Sequence, residues 1–229
     1  MCYYGDMSEI LLPKPYLSYS AMELWLRDKQ AYRGRYYLNE PYFSTPYTEF
    51  GNLVGGALED RDWDHPVLAL VKGKVPQQTH PEHRIDVEIN GVPVMGFLDD
   101  FNLETKAIEE YKTGIRNKGK APWDRVKVRK HKQLTLYTLM VREMYGSYDP
   151  DIQLTWMETE WADIDKEVEF GGQIIKESYK GLRLTGHVEV FPRHIKEWEL
   201  DRMADIIRDT AEEISEDYKL WQKKSKSLS

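Results

Sequence analysis

Hydrophobic and polar positions change period several times along the chain, and each change predicts an element. Ser18 and Ser20 are good helix N-caps, and Met22, Leu24, Trp25 and Leu26 after them give one apolar face before Arg33 and Arg35. Tyr36, Tyr37, Tyr42, Phe43 and Tyr47 lie among Asn, Pro, Ser and Thr, which reads as a loop. Residues 50–60 read as a second helix entered through Gly51, and residues 62–83 lack a clear period and read as irregular. Residues 84–89 alternate and run into Asn90-Gly91, a strong hairpin signal, so residues 92–101 form the partner strand. A third strand is expected over residues 106–112. A helix follows over residues 126–145, with Leu134, Tyr137, Thr138 and Val141 at helical spacing. Residues 152–159 alternate as another strand. A long amphipathic helix spans residues 196–222, its face of Trp198, Met203, Ile206, Ile207, Ile214, Tyr218 and Trp221 reading as core packing.

The order α-α-β-β-β-α-β-α predicts an α/β fold, a mixed central sheet flanked by helices. One domain over residues 1–229 is expected, its core within 17–159 and a C-terminal strand and long helix within 160–222. Hydrophobic residues make up 41% of the chain, enough for a packed core and too many for a disordered chain. Cys2 is the only cysteine, which excludes an intrachain disulfide and a thiolate-ligated cluster built from this chain alone. The first residues lack a basic region followed by an apolar stretch, and apolar runs stay far short of a membrane span. A cytoplasmic protein without a membrane partner is the expectation.

The formal charge of -7 argues against indiscriminate nucleic-acid coating, yet a global sum hides local fields. Acidic residues concentrate in the C-terminal third, where Asp201, Asp205 and Asp209 form a solvated stripe. Basic ones crowd after Lys112: Arg116, Lys118, Lys120, Arg125, Lys127, Arg129, Lys130 and Lys132 are relieved only by Asp124. Such a run is either a solvated face or a track of phosphate contacts. Its place directly after a candidate metal site favours the second.

That site is Asp99, Glu110 and Lys112. Hydrolysing a phosphodiester needs a held divalent cation, an activated water and positive charge facing the developing negative charge. Asp99 lies near the end of one strand and Glu110 near the end of the next, where antiparallel neighbours bring such residues side by side. Glu110 and Lys112 are two apart in a strand, so a carboxylate and an ammonium leave the same face. A lone Glu-x-Lys is more often a surface ion pair; the surrounding pattern gives this one its weight.

In that pattern the sequence resembles the RecB-like branch of the PD-(D/E)XK nucleases, which includes CRISPR-adaptation nucleases and phage recombination exonucleases. Leu17-Ser18-Tyr19-Ser20 with Leu24 and Leu26 is similar to the family's opening helix, and residues 51–59 (GNLVGGALE) to its "G-x-x-x-H-x-x-x-E" helix. Gly96 to Asp99 matches "G-x-x-D", residues 108–114 (IEEYKTG) match "h-x-(D/E)-x-K-T-G", and Gln133 with Tyr137 match "Q-x-x-x-Y". The resemblance runs from about residue 17 to residue 159 in family order. It implies a restriction-endonuclease-like core and a Mg²⁺- or Mn²⁺-dependent nuclease acting on DNA ends or single strands. Asp99, Glu110 and the backbone carbonyl of Tyr111 would be metal ligands, Lys112 the catalytic lysine, and Gln133 and Tyr137 its supports. DNA contacts are expected at Ser18 and Ser20, at a helix N-terminus that attracts anions, and at Arg116, Arg125, Lys127 and Lys130. Recombination, repair or CRISPR-adaptation proteins are the implied partners.

Two departures stand out. Where the family often has a metal-binding His, this chain has Gly55, and Glu59 one turn on is the candidate substitute, ahead of Glu82, Glu88 and His65. Where many relatives have the first cysteine of an iron–sulfur cluster, this chain has Asp28, which places it with the cluster-free members. A binding module that keeps the fold with weakened catalysis therefore stays open beside an active nuclease, as does an unrelated α/β protein with accidental matches. Trp123 reads as a packing plug sooner than a stacking platform, and Gly171-Gly172 as a turn sooner than a phosphate loop.

Overall fold

Ser18 ends an extended segment, and its Oγ accepts from the Ala21 N–H to start α1 (Tyr19–Arg27). The computed structural model describes residues 10–146, 150–170 and 173–227. Asp28 stops α1, and its carboxylate accepts from the N–H groups of Gln30 and Ala31, both at 3.0 Å, so α2 (Lys29–Tyr37) begins at once. Asp28 is thus the helix cap between α1 and α2. Tyr36 and Tyr37 belong to α2 and not to the expected loop. Their polar neighbours misled, because Tyr37 is drawn inward: its ring packs on Tyr218 and Trp221 and its hydroxyl donates to Asp217 at 3.0 Å. Thr45 caps α3 (Pro46–Glu59) with Pro46 in its first turn, so this helix starts before the expected residue 50 and includes Tyr47.

Five strands make one mixed sheet, in the order β1 (His80–Ile89), β2 (Val92–Phe101), β3 (Ile108–Ile115), β4 (Ile152–Phe170) and β5 (Gln173–Arg193). Only β3 and β4 run parallel; the other neighbours are antiparallel. The β1–β2 turn holds Asn90 at φ 49 and Gly91 at φ 74, the left-handed pair that a tight two-residue hairpin requires. Lys106 is not in β3 as expected; its φ of 62 belongs to the preceding turn.

A parallel pair needs a long crossover. Here it is made by α4 (Arg125–Arg129) and α5 (Lys132–Tyr145), where the sequence pattern suggested one continuous helix over 126–145. The break falls at Lys130 and His131 with no Pro or Gly to announce it. His131 is held between the rings of Tyr19 and Trp123, at 6.0 and 4.9 Å between centroids, and that tertiary contact interrupts the helix. Trp123 is accordingly a partly buried packing residue.

Both β4 and β5 continue well past residue 159 as a two-stranded ribbon, tied by the ion pairs Arg183–Glu160 and Lys180–Asp163. Gly171-Gly172, expected as a turn, lies outside the described residues. The last helix, α6 (Glu197–Ser227), covers one sheet face together with α5: Leu98, Phe101, Leu154 and Trp156 meet Leu136, Met140, Met203 and Ile207 there. On the other face α3 packs Phe50, Val54 and Leu58 against Val71, Met157 and Leu184. Trp198 departs from its expected core role. It is 58% exposed, and the buried stripe of α6 starts only at Leu200 and Met203.

Candidate active site

The site forms where β2 and β3 part. Their ladder has only two pairs, Asp100 with Glu109 and Phe101 with Ile108. Leu98 and Phe101, three residues apart, both enter the same core, which strict two-residue alternation forbids. The strand therefore changes phase across Asp99 and Asp100. Opposite this change in β1, between the pairs Pro81–Asp100 and His83–Leu98, Glu82 has a φ of 45, uncommon for a residue with a side chain.

The phase change turns both aspartates inward. Asp100 is fully buried and accepts from Arg61 Nη2 at 2.8 Å, the Gln78 N–H at 2.7 Å and the Tyr111 hydroxyl at 3.2 Å. This network pins the irregular segment after α3 against the sheet. Asp99 lines the cleft, and its Oδ2 accepts from the Tyr111 N–H at 2.7 Å. Because a strand residue directs its N–H and C=O to the same edge, the Tyr111 carbonyl also faces the gap between β2 and β3.

Glu110 is fully buried, and one of its oxygens accepts from Lys112. Its other oxygen, Oε2, has no hydrogen-bond partner among the described residues. Burial first, and then the Asp99 carboxylate, push the Glu110 carboxyl up to about 8. Asp99 is raised as well, by burial above all, against the opposing pull of Lys112 and the Tyr111 N–H. Burial would lower Lys112, but Glu110 and Asp99 outweigh it, and the ammonium is held above its ordinary value. The buried Glu110 oxygen without a partner is costly, and a cation taking the place of the carboxyl proton would complete it. The donor set therefore fits a divalent ion: two carboxylates and a carbonyl suit a hard cation that keeps several waters.

Gln133 Nε2 donates to the Tyr137 hydroxyl at 2.9 Å, one helical turn apart on α5. Tyr137 is raised by burial first and then by Glu110, which places it beside the carboxylates. Gly96 makes that approach possible. A Cβ there would lie 3.1 Å from the Tyr137 ring and 3.2 Å from Met140, so a bare backbone lets α5 close on β2.

The cleft, of about 720 Å³, runs between this gap and α3. Gly51, Gly55 and Glu59 line one wall, and Glu82, Asp99 and Lys112 lie opposite. Glu82, at the exposed rim, is pushed up to about 7 by partial burial, then by Asp99 and Glu59. Glu59 thus shares the cleft. Even so, no three His, Cys, Asp or Glu side chains among the described residues converge as a ready ligand set. His65 Nδ1 accepts from the Val67 N–H at 3.1 Å and caps a short turn, and Glu88 is exposed opposite Pro93, near the other end of β1. Asp201, Asp205 and Asp209 are exposed.

The expected DNA contacts are dispersed. Ser18 Oγ caps α1 and lies 3.2 Å from Ser20 Oγ, and Tyr19 between them feels the charges of Lys112 and Glu110. Arg116 is paired with Glu158 at 2.7 Å and lies over the Trp156 ring. Lys127 Nζ donates to the Pro122 carbonyl at 2.8 Å, while Arg125 and Lys130 stay exposed. Sequence reasoning missed Asp100, Arg61 and Glu109. Glu109 is buried behind the site, where Gln153 and Thr155 donate to it, and burial first pushes it up to about 7. The Asp-Asp doublet at a strand end was the one signal available for this rear network.

Among solved structures, one from Eubacterium rectale described as a "putative exonuclease" matches over 87% of this chain and 80% of its own, with a TM-score of 0.56 and 12% identity. The chain shares its fold. A second structure, SSO0001, matches over 89% of this chain and 78% of its own, with a TM-score of 0.40 and 11% identity. No protein-family model and no curated protein matches the sequence. Among the described residues no helix is long and apolar enough to cross a membrane.

Proposed function

We propose that this chain is a metal-dependent deoxyribonuclease of the RecB-like PD-(D/E)XK type, cutting DNA at ends or on single strands. The observation that carries it is the buried Glu110 carboxylate, one oxygen on Lys112 and the other unpartnered, beside Asp99 at an open cleft. Asp99, Glu110 and the Tyr111 carbonyl would hold Mg²⁺ or Mn²⁺, with Glu59 across the cleft as a further carboxylate. A cation held by these residues would supply a lowered pKa for a water and positive charge facing the phosphate. Lys112, held protonated by its two carboxylate neighbours, orients that water and faces the transition-state charge. Gln133 and Tyr137, hydrogen-bonded to each other on α5, would support Lys112 and the nucleic-acid strand. The fold shared with the Eubacterium rectale protein described as a "putative exonuclease" supports the nuclease part of this reading. Recombination, repair and CRISPR adaptation are the settings that suit such an activity.

A time course with Mn²⁺ on labelled single-stranded, duplex and end-blocked DNA tests it, with metal-dependent cleavage as the expected result. A second reading, a DNA-binding module with weakened catalysis, is favoured by Gly55 and by the lack of a three-carboxylate group among the described residues. Binding without cleavage in Mg²⁺ and in Mn²⁺ would establish that reading instead.

A further inference from the structure

The fold divides the basic run that follows Lys112. Arg116 is paired with Glu158, and Lys127, exposed and still cationic, donates to the Pro122 carbonyl. Arg125, Arg129, Lys130 and Lys132 line a separate groove of about 890 Å³, whose far wall is the end of β5 and the first turns of α6. That wall adds Lys196 and Arg202, far away in sequence, and the 58% exposed ring of Trp198. Glu199 is the lining carboxylate, and Arg193 already pairs with it. Arg125, Arg129, Lys130, Lys132 and Arg202 have no carboxylate partner among the described residues. A chain of net charge -7 therefore leaves a cluster of unneutralised cations in one concave place.

We infer that this groove binds the phosphodiester backbone of a nucleic-acid single strand, with Trp198 stacking on a base. The inference rests on the nuclease assignment and names a second place on the molecule that holds the strand. Lys132 and Thr135, one turn apart on α5, line the groove on the sheet face that α5 and α6 cover, opposite the face where α3 borders the cleft. Convergent cations suit a polyanion, and an exposed indole among them suits an unpaired base, since every base offers a π-face. The acidic stripe of α6 takes no part, because Asp201, Asp205 and Asp209 are not among the lining residues.

The test measures binding of a fluorescent single strand of about 30 nucleotides in Ca²⁺, across salt concentrations. The triple variant Arg129→Gln, Lys132→Gln, Arg202→Gln changes exposed side chains only, and its melting temperature checks that the fold survives. Affinity is expected to fall about tenfold or more, and the salt slope to flatten by about 2, near 0.7 for each lost phosphate contact. Trp198→Ala is expected to weaken single-strand binding about fivefold or more while leaving duplex binding unchanged. Parent affinity and slope in the triple variant would overturn the groove while leaving the nuclease assignment intact. A wild-type protein that cuts no DNA, yet loses binding in the triple variant, would sink the nuclease assignment and keep the groove. Displacement of the strand by polyglutamate of matched charge as readily as by unlabelled DNA would also overturn it, in favour of an acidic peptide.

Discussion

The Tyr111 N–H donates to Asp99 Oδ2 at 2.7 Å, beyond the last backbone pair of β2 and β3. A side chain thus replaces the ladder where the strands part. One Asp99 oxygen is fixed by that bond, and the Tyr111 carbonyl is left facing the gap. Separation of the two strands and the fixing of Asp99 against Tyr111 are a single structural event.

Asp99→Ala, Glu110→Ala and Lys112→Ala are each expected to reduce cleavage about 100-fold or more without unfolding the chain. Groups acting as one unit lose nearly as much singly as together, so the triple variant should be little worse. Cleavage rates on labelled DNA, set beside circular dichroism, decide this; near-parental activity in any single variant removes that residue from the site.

If Glu59 reaches the cation, Glu59→Ala should raise the Mn²⁺ concentration needed for half-maximal cleavage, by about tenfold for a lost carboxylate ligand or its outer-sphere equivalent. The saturated rate should change less. A superimposable metal titration would make Glu59 a bystander on the cleft wall.

Metal binding should strengthen with pH. Glu110 in the folded chain is pushed up to about 8, against an ordinary 4.5. Between those values the folded state keeps a proton that the unfolded chain has released, so this group's contribution to metal-free stability falls as pH rises through the window. A cation takes the proton's place, and its affinity should grow by up to about tenfold per pH unit for one displaced proton. The rise in melting temperature caused by Mn²⁺ should accordingly be small near pH 5.5 and larger near pH 8. A Mn²⁺ shift of equal size at both would mean that Glu110 does not bind the ion.

Gly96→Val should destabilise the chain by about 1–3 kcal/mol, the usual range for overpacking, because its Cβ would press on Tyr137 at 3.1 Å and Met140 at 3.2 Å. Displacing Tyr137 should also lower cleavage beyond what stability explains. Urea denaturation with parallel kinetics checks both parts; a variant of parental stability would show that α5 can retreat freely from β2.

What the sequence determined was local. The Asn90-Gly91 turn was legible because its left-handed backbone is a property of those two residues, and β2 followed from it. Glu110 and Lys112 share a face because strand geometry acts over two residues, and the ordered motifs of the resemblance added Asp99, Gln133 and Tyr137. Tertiary structure decided everything that depended on residues far away in the chain. The break before α5 comes from Tyr19 and Trp123 closing on His131, contacts that no periodicity within residues 126–145 records. The phase change at Asp99 and Asp100 depends on Glu82 across the hairpin and on Arg61, which lies in a segment with no pattern at all. Trp198 has the spacing of a core residue but lies beyond the end of the core, so it meets water and cations in place of Met203 and Ile207. The basic run looked uniform because charge in a sequence carries no direction. Only the fold decides which cations meet a carboxylate, as Arg116 meets Glu158, and which are left facing a groove.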